Sequence, residues 1–167
     1  MRRAAAAQRT GRPATARRSP RAAAAGESWA STPAVRGRMQ LQRTRDTAPE
    51  LAIRSLLHAR GLRYRVDASP LPGLRRRADI VFGPAKVAVF VDGCFWHGCP
   101  QHGARPTRAN PAYWSAKVAG NQQRDRDTDT RLEAAGWLPL RVWEHEPPGD
   151  AAQRIAAAVA ARVARHR

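Results

Sequence analysis

The stretch that decides the fold is VAVFVDGCFWHGCPQH, residues 87–102. In its first half valine alternates with alanine and phenylalanine, so both faces of an extended segment would be apolar. Such a run predicts a central strand that is covered on both sides. Because the run ends in Asp92 and a tight turn at Gly93, it brings polar side chains to the edge of a sheet.

The second half of the stretch concentrates sulfur and nitrogen donors. Cys94 and Cys99 are the only cysteines, and His102 follows the second after two residues. Zinc prefers four thiolate or imidazole ligands in a tetrahedron, and His145, after a later strand-like run, is the best fourth candidate. Free thiols with surface histidines are the alternative, because the spacing departs from the usual short ligand pairs. A Cys94–Cys99 disulfide is disfavoured, since nothing in the sequence suggests export.

The charge balance of the chain points to a polyanionic partner. The 167 residues include 30 basic and 13 acidic ones, which gives a formal net charge of +17. Such an excess favours nucleic acid, although the richness in arginine and alanine also fits a high-GC coding sequence. No apolar run approaches the roughly 20 residues that a membrane span requires. The length predicts one domain of ordinary size and a tail.

The tail is residues 1–38, and the domain is expected to be residues 39–167. Residues 1–38 are mostly Ala, Arg, Pro, Ser and Thr without sustained periodicity, which predicts disorder. A basic tail of this kind could track DNA phosphates, or the true translation start could lie downstream. A transit peptide, which has the same composition, is a third option.

Around the central strand, the chain predicts the order helix, strands, helix, strand, helix. This order is typical of an α/β or α+β sheet with flanking helices. The predicted elements are a helix with a Thr47–Glu50 capping box that ends at Gly61, a half-buried strand from Leu62 to Val66, a strand at 78–82, a long helix from Asn110 to Gly136, a strand at 138–142 and a last helix capped by Asp150.

Polar groups at the hairpin predict a second metal site. Asp79 lies at the start of the strand that pairs with the central one, and the turn brings Asp92 and His97 towards it. Magnesium prefers oxygen ligands, and the available ones are Asp79, Asp92, Glu50 and the carbonyl of Val91. His97 is the nearby residue whose side chain has an unperturbed pKa near neutrality, so it is suited to act as a general base. The alternatives are that Asp79 caps a turn and that Glu50 only caps its helix.

Phe95 and Trp96 are adjacent large aromatics beside His97. From an extended segment both cannot point inwards, so at least one is expected to face a ligand. Apolar wedges of this kind unstack base steps and bend DNA. Packing around the zinc cluster is the alternative explanation, above all for Phe95.

Several motifs stand in a specific order between Met39 and Glu146. They are TRDTAPE at 44–50, ADIV at 78–81, VDGCFWHGCPQHG at 91–103, Asn110, Tyr113, Trp114, Lys117, Asn121, Arg124 and Asp125 on the long helix, Gly136 with Trp137, and RVWEHE at 141–146. This segment, about two thirds of the chain, resembles the very short patch repair (Vsr-type) DNA mismatch endonucleases, a branch of the restriction-endonuclease-like superfamily.

The resemblance implies a restriction-endonuclease-like α/β fold with a central mixed sheet, flanking helices and a structural zinc site. It implies an enzyme that nicks one DNA strand beside the thymine of a T:G mismatch, the product of 5-methylcytosine deamination. The implied partners are mismatched double-stranded DNA, mismatch-repair proteins and a DNA cytosine methyltransferase. We expect a monomer in the bacterial cytoplasm, associated with the nucleoid through DNA.

The resemblance also assigns roles to residues. It implies that Asp79 and the carbonyl of Val91 bind magnesium, that Glu50 and Asp92 hold metal-bound waters, and that His97 is the general base, oriented by Asp125. It implies that zinc is bound by Cys94, Cys99, His102 and His145. It also implies that Met39, Phe95 and Trp96 wedge into DNA and that Lys117 and Asn121 lie where the mispair is read. The zinc ligand set is inferred from position, because better-known members arrange histidine and cysteine differently. Two alternatives remain: a related nuclease of a restriction or defence system, and a zinc-stabilised DNA-binding protein without catalysis.

Overall fold

A computed structural model describes residues 45–103 and 110–165 of the 167. The predicted tail and Met39 lie outside the described residues. The elements are α1 (Ala48–Ala59), β1 (Arg65–Ala68), β2 (Ala78–Phe82), β3 (Val87–Asp92), the one-turn helix α2 (Cys94–His97), α3 (Pro111–Ala134), β4 (Leu138–Trp143) and α4 (Pro148–Arg165). This is the predicted α/β order.

The four strands form one mixed sheet in the order β1-β2-β3-β4. β3 is antiparallel to β2 and parallel to β4, so it is central as its apolar pattern predicts. Val87, Ala88 and Val89 are fully buried there. The parallel β3–β4 pair requires a crossover, which α3 supplies.

The two faces of the sheet are covered by different helices. On one face, Val87 and Val89 pack in a core with residues of α1 and α4 such as Ile53 and Ile155. On the other, Ala88 and Phe90 pack with Leu132 of α3. Successive side chains of a strand alternate between the faces, so the polar groups that share a face with Phe90 lie between the sheet and α3.

Three local predictions need correction. The strand predicted from Leu62 to Val66 begins instead at Arg65, which pairs with Val81 of β2. Tyr64 would pair with Phe82, but β2 ends at that residue. The Tyr64 and Phe82 rings still pack, with centroids 5.7 Å apart. α4 begins at Pro148, so Asp150 lies in its first turn instead of capping it.

The predicted capping box at α1 also differs in detail. The Thr47 side chain makes no cap hydrogen bond, and its hydroxyl instead donates to Glu50 Oε1 at 2.7 Å. Glu50 Oε2 accepts from the backbone N–H of Asp46 at 3.0 Å. Glu50 therefore holds the start of the helix, one residue earlier than in a standard capping box.

In the described part of the chain, every helix is too short or too polar to cross a bilayer.

Candidate active site

A cleft of about 420 Å³ opens between the sheet and α3. Its lining is polar and carries charges of both signs. The lining residues are Arg76, Arg77, Asp79, Phe90, Val91, Asp92, His97, Asn121, Arg124, Asp125, Thr128 and Arg141. The acid of β2 and the imidazole of α2 thus face the same cleft.

Asp79 enters the cleft from β2. Its Oδ2 accepts a hydrogen bond from the Val91 backbone N–H at 2.7 Å, which ties the carboxylate to the end of β3. Burial raises the pKa of Asp79 to about 6, because desolvation outweighs the lowering effect of the Val91 hydrogen bond, and the charges of Glu50 and Asp92 raise the pKa further. A buried carboxylate among other acids is stabilised by a positive charge, so this position fits a divalent cation.

Asp92 ends β3 and is almost completely buried, with 4% of its surface exposed. Arg141 Nη1 donates to its Oδ1 at 3.0 Å and its Oδ2 at 2.9 Å. Burial nevertheless leaves the pKa of Asp92 above its usual value, because desolvation outweighs the attraction of Arg141 and His97.

His97 is the last residue of α2, and Asp125 approaches it from α3. His97 Nδ1 and Asp125 Oδ2 are 2.6 Å apart, while Asp92 Oδ1 lies 3.6 Å from the same nitrogen. Burial lowers the pKa of His97, but the hydrogen bond to Asp125 and the two carboxylate charges outweigh it, and the pKa ends above its usual value. With Nδ1 engaged by Asp125, Nε2 is the ring nitrogen left for substrate chemistry.

The described residues that line the cleft do not include Glu50. Glu50 is 5% exposed, and both its carboxylate oxygens accept hydrogen bonds at the start of α1. Its charge nevertheless reaches Asp79 and raises the pKa of that carboxyl. Glu50 is thus an electrostatic neighbour of the cleft.

A second cluster contains Cys94, Cys99, His102 and His145, whose donor atoms all lie within 4.8 Å of one another. Both cysteines are buried thiols, so the disfavoured disulfide is absent. The Sγ to Nδ1 distances are 3.1 and 3.8 Å from Cys94 and 3.7 and 3.9 Å from Cys99. Tetrahedral zinc with ordinary bond lengths places sulfur and nitrogen ligands roughly 3.6 Å apart, so the cluster fits such an ion.

Two glycines and one acid shape the loop around this cluster. Gly98 ends α2 with φ +65°, and a Cβ on Gly103 would lie 2.3 Å from the Cys99 nitrogen. Glu144, just before His145, accepts a hydrogen bond from the Cys94 backbone N–H at 2.7 Å. The same loop therefore holds the thiols and presents His97 to the cleft.

The aromatic residues beside His97 pack on one another. Phe95 and Trp96 both contact Trp114 of α3, with ring centroids 5.3 and 5.8 Å apart. The expectation that they lie on an extended segment is wrong, because they occupy the helical turn α2. Both remain partly exposed, and Tyr113 extends the cluster to the surface.

The two residues expected to read a mispair differ in environment. Lys117 is exposed on α3. Asn121 is buried, donates to the Trp96 carbonyl at 2.7 Å and accepts a hydrogen bond from Arg124. Asn121 therefore braces α2 against α3 at the cleft wall.

The roles of four cleft arginines were not predicted from the sequence. Arg76 reaches Asp127 at 2.5 Å, Arg77 pairs with Asp67, and Arg124 lies beside Asn121. Arg141 interrupts an apolar strand, and the alternation of β4 places it on the α3 face. The signal in the sequence that could have revealed this role was an arginine at a strand position that faces the interior.

The comparisons with known proteins agree on one family. The family described as "DNA mismatch endonuclease Vsr" matches residues 30–102. The type II nicking enzyme V.NaeI of Lentzea aerocolonigenes is 49% identical over 138 residues, which cover 81% of this chain and 82% of the relative. V.XorIIP, a type II nicking enzyme of Xanthomonas oryzae pv. oryzae, is 42% identical over 65% of this chain and 77% of its own length. The DNA mismatch endonuclease Vsr of Escherichia coli K12 is 39% identical over 60% of this chain and 63% of its own length.

Proposed function

The chain belongs to the Vsr family of DNA endonucleases, and from that premise we propose that it nicks one strand of duplex DNA beside the thymine of a T:G mismatch by magnesium-dependent hydrolysis. The observation that carries the proposal is the shared cleft of Asp79 and His97. Phosphodiester hydrolysis needs a cation at the phosphate and a base for water, and these two side chains suit those tasks.

We assign the metal-binding role to Asp79 and the Val91 carbonyl. A magnesium ion held there would neutralise charge on the scissile phosphate and on the leaving oxygen. Asp79 and Val91 are already joined by the hydrogen bond between carboxylate and backbone N–H, which fixes the position of the carboxylate at the end of β3. Asp92 and Glu50 are proposed to hold water around this site, Asp92 from the cleft wall and Glu50 through its charge, since the Glu50 oxygens accept hydrogen bonds at the start of α1.

In this mechanism, His97 takes a proton from the attacking water at Nε2. Asp125 orients the ring by accepting a hydrogen bond from Nδ1–H, across the 2.6 Å separation. The same carboxylate stabilises the imidazolium that forms when the proton is transferred. The short helix α2 sets the angle of the ring, and the four-donor cluster beside it would hold zinc as a structural ion.

The duplex would be gripped by arginine-rich walls and opened by aromatic side chains. Arg76, Arg77 and Arg124 line the cleft and suit phosphate contacts. The partly exposed side chains of Phe95 and Trp96 suit insertion between base pairs, and Met39 is proposed as a third wedge. Lys117 and Asn121 are proposed to lie near the mispaired bases.

The test is to incubate the protein with labelled duplexes that carry T:G, C:G or T:A at one position, in several sequence contexts. A nick on the thymine strand of the T:G duplexes alone, which requires added magnesium, is the expected result. Equal cleavage of the perfectly paired duplexes would contradict mismatch specificity, and cleavage without a divalent ion would contradict the metal role. The Asp79→Ala variant should bind the T:G duplex and leave it intact.

A second candidate function is that of a related nuclease that accompanies a restriction-modification system and has a different recognition sequence around the mismatch. It is favoured by the higher identity to the nicking enzyme V.NaeI, 49%, than to the E. coli mismatch endonuclease, 39%. The same duplex panel separates the two, because they differ in the flanking bases that permit cleavage. A binding protein without catalysis would give no nick in any context.

A further inference from the structure

Among the described arginines that line the cleft, Arg141 contacts the most acidic side chains, namely Asp92, Asp125 and Asp129. We propose that Arg141 is a positioning residue for the nicking reaction, which holds Asp92 away from His97 so that Asp125 alone engages the imidazole. The inference rests on the proposed function and adds a residue to it.

The guanidinium binds carboxylates from two elements. On one side, Nη1 donates to both oxygens of Asp92 at 3.0 and 2.9 Å. On the other, Nε and Nη2 donate to the two oxygens of Asp129 at 3.0 and 3.1 Å, which is the planar fork that arginine forms with a carboxylate. Arg141 therefore ties the end of β3 to α3.

The same group also reaches Asp125. Nη2 donates to the Asp125 carbonyl at 3.4 Å, and Nη1 lies 3.4 Å from Asp125 Oδ1. Because all three nitrogens of Arg141 contact acceptors within the protein, its contribution is to hold those acceptors in place and not to touch the substrate.

Arg141 is held more firmly than a surface ion pair. Its side chain is 23% exposed, and the guanidinium carbon lies 4.8 Å from the centre of the Phe90 ring. Its backbone is paired with Phe90 of β3. Because Arg141 is fixed at both ends, it loses little additional side-chain entropy in keeping this geometry. An ion pair on the surface loses more entropy and therefore contributes little to stability.

The competition for His97 explains why the position of Asp92 matters. Asp92 Oδ1 lies 3.6 Å from His97 Nδ1, against 2.6 Å for Asp125 Oδ2. Without Arg141, the buried Asp92 carboxylate would be left with the His97 Nδ1–H, 3.6 Å away, as a donor within reach, and it would move towards Nδ1. The ring would then rotate away from the orientation that Asp125 sets.

Three variants test the proposal. Arg141→Met keeps the aliphatic stem and removes the charge, and Arg141→Lys keeps the charge and removes the fork. Arg131→Met is the matched control, because Arg131 is also paired with an aspartate on α3, at 3.0 Å from Asp127, but its side chain is 61% exposed. Circular dichroism and zinc content check that each variant is folded.

The first measurement separates binding from chemistry. With enzyme in excess over a T:G duplex, Arg141→Met should lower the first-order nicking constant by about 100-fold, the scale expected for a misplaced catalytic group. Its dissociation constant for the duplex should stay within about twofold of the wild-type value, since the acids that Arg141 holds do not grip DNA. Arg141→Lys should recover about tenfold of the loss, and Arg131→Met should behave as wild type.

The second measurement observes the imidazole in the protein without DNA. The His97 Nδ1 proton, shared with Asp125, should give a downfield NMR signal that shifts or broadens in Arg141→Met and persists in Arg131→Met. If Arg141→Met fails to fold, Arg141→Lys decides by the same two readouts. A wild-type rate in the folded variants, or a lost rate with an unchanged His97 signal, would overturn the proposal. If wild-type protein nicks none of the duplexes, the proposed function fails, and the NMR signal alone still decides the role of Arg141.

Discussion

Replacing Asp79 with asparagine should abolish nicking and at the same time stabilise the metal-free protein. The carboxylate is buried beside Glu50 and Asp92, and its pKa is raised from 3.8 to about 6. Folding therefore disfavours the ionised form, which is the form that binds a cation. Asparagine removes this charge and keeps an oxygen that can accept the Val91 N–H bond.

The size and sign of the effect follow from proton linkage. A rise of about two pKa units, at 1.36 kcal/mol each, means that an ionised Asp79 lowers the free energy of unfolding of the wild type by roughly 3 kcal/mol. Because the site is partly accessible to solvent, the actual cost is expected to be about 1–3 kcal/mol. Below the unfolded pKa both states carry the proton and the cost vanishes. It grows as pH rises and is complete above the folded pKa. The gain from Asp79→Asn should thus be about 1–2 kcal/mol larger at about pH 7.5 than at about pH 4.5.

Urea denaturation followed by tryptophan fluorescence measures this difference, in zinc-saturated buffer without magnesium or chelator. Added magnesium should then raise the stability of the wild type alone, because the variant lacks the ligand. Asp127→Asn is the control, because hydrogen bonds from Arg76 and Arg131 hold the pKa of Asp127 below its usual value, so its loss should not stabilise. A gain from Asp79→Asn that is absent, or that does not change with pH, would refute the reasoning.

Three further outcomes are expected. Asp125→Asn should lower the maximal nicking rate and move the acid limb of the pH–rate profile to lower pH, because the carboxylate that raises the pKa of His97 is gone; an unmoved acid limb would contradict the His97 assignment. Cys94→Ser should lose bound zinc, measured by atomic emission, and melt at a lower temperature, since the cluster loses a buried donor; unchanged metal content would contradict the site. Gly103→Ala should destabilise the same loop, because the added Cβ would lie 2.3 Å from the Cys99 nitrogen. The control Gly120→Ala, whose Cβ would have nothing within 4 Å, should be neutral or stabilise helix α3 by up to about 1 kcal/mol. Equal melting temperatures for the two variants would refute this packing argument.

Periodicity made the central strand predictable. The alternation from Val87 onwards sufficed to predict a strand buried on both faces, and a buried strand that ends in an acid predicts a site at its end. The Cys and His spacing predicted a four-donor cluster for a different reason: zinc chemistry limits which side chains can serve as the fourth ligand. Elements with strong local signals, such as the long helix before Gly136, appear close to their predicted bounds.

The errors occur where a distant partner decides the local structure. The start of β1 depends on where β2 turns away from it, which the sequence of Leu62 to Val66 does not contain. The helical turn at Phe95 and Trp96 is stabilised by the Trp114 ring of α3, which lies more than a dozen residues further along the chain. The contacts of Arg141 depend on β4 lying parallel to β3, so its role required the topology.

The cleft combines groups that would not be stable together without a compensating charge. Asp92, Asp125 and Asp129 surround one guanidinium, whereas Asp79 lines the same cleft and forms no ion pair with any other residue that the structure describes. Arg141 therefore neutralises the acids that organise the imidazole, and leaves uncompensated the acid assigned to the metal. An acid with its own arginine would bind a cation weakly, because the cation would have to displace that arginine. The unequal distribution of positive charge is thus what allows one set of similar aspartates to perform two tasks, orientation of the base and capture of the ion.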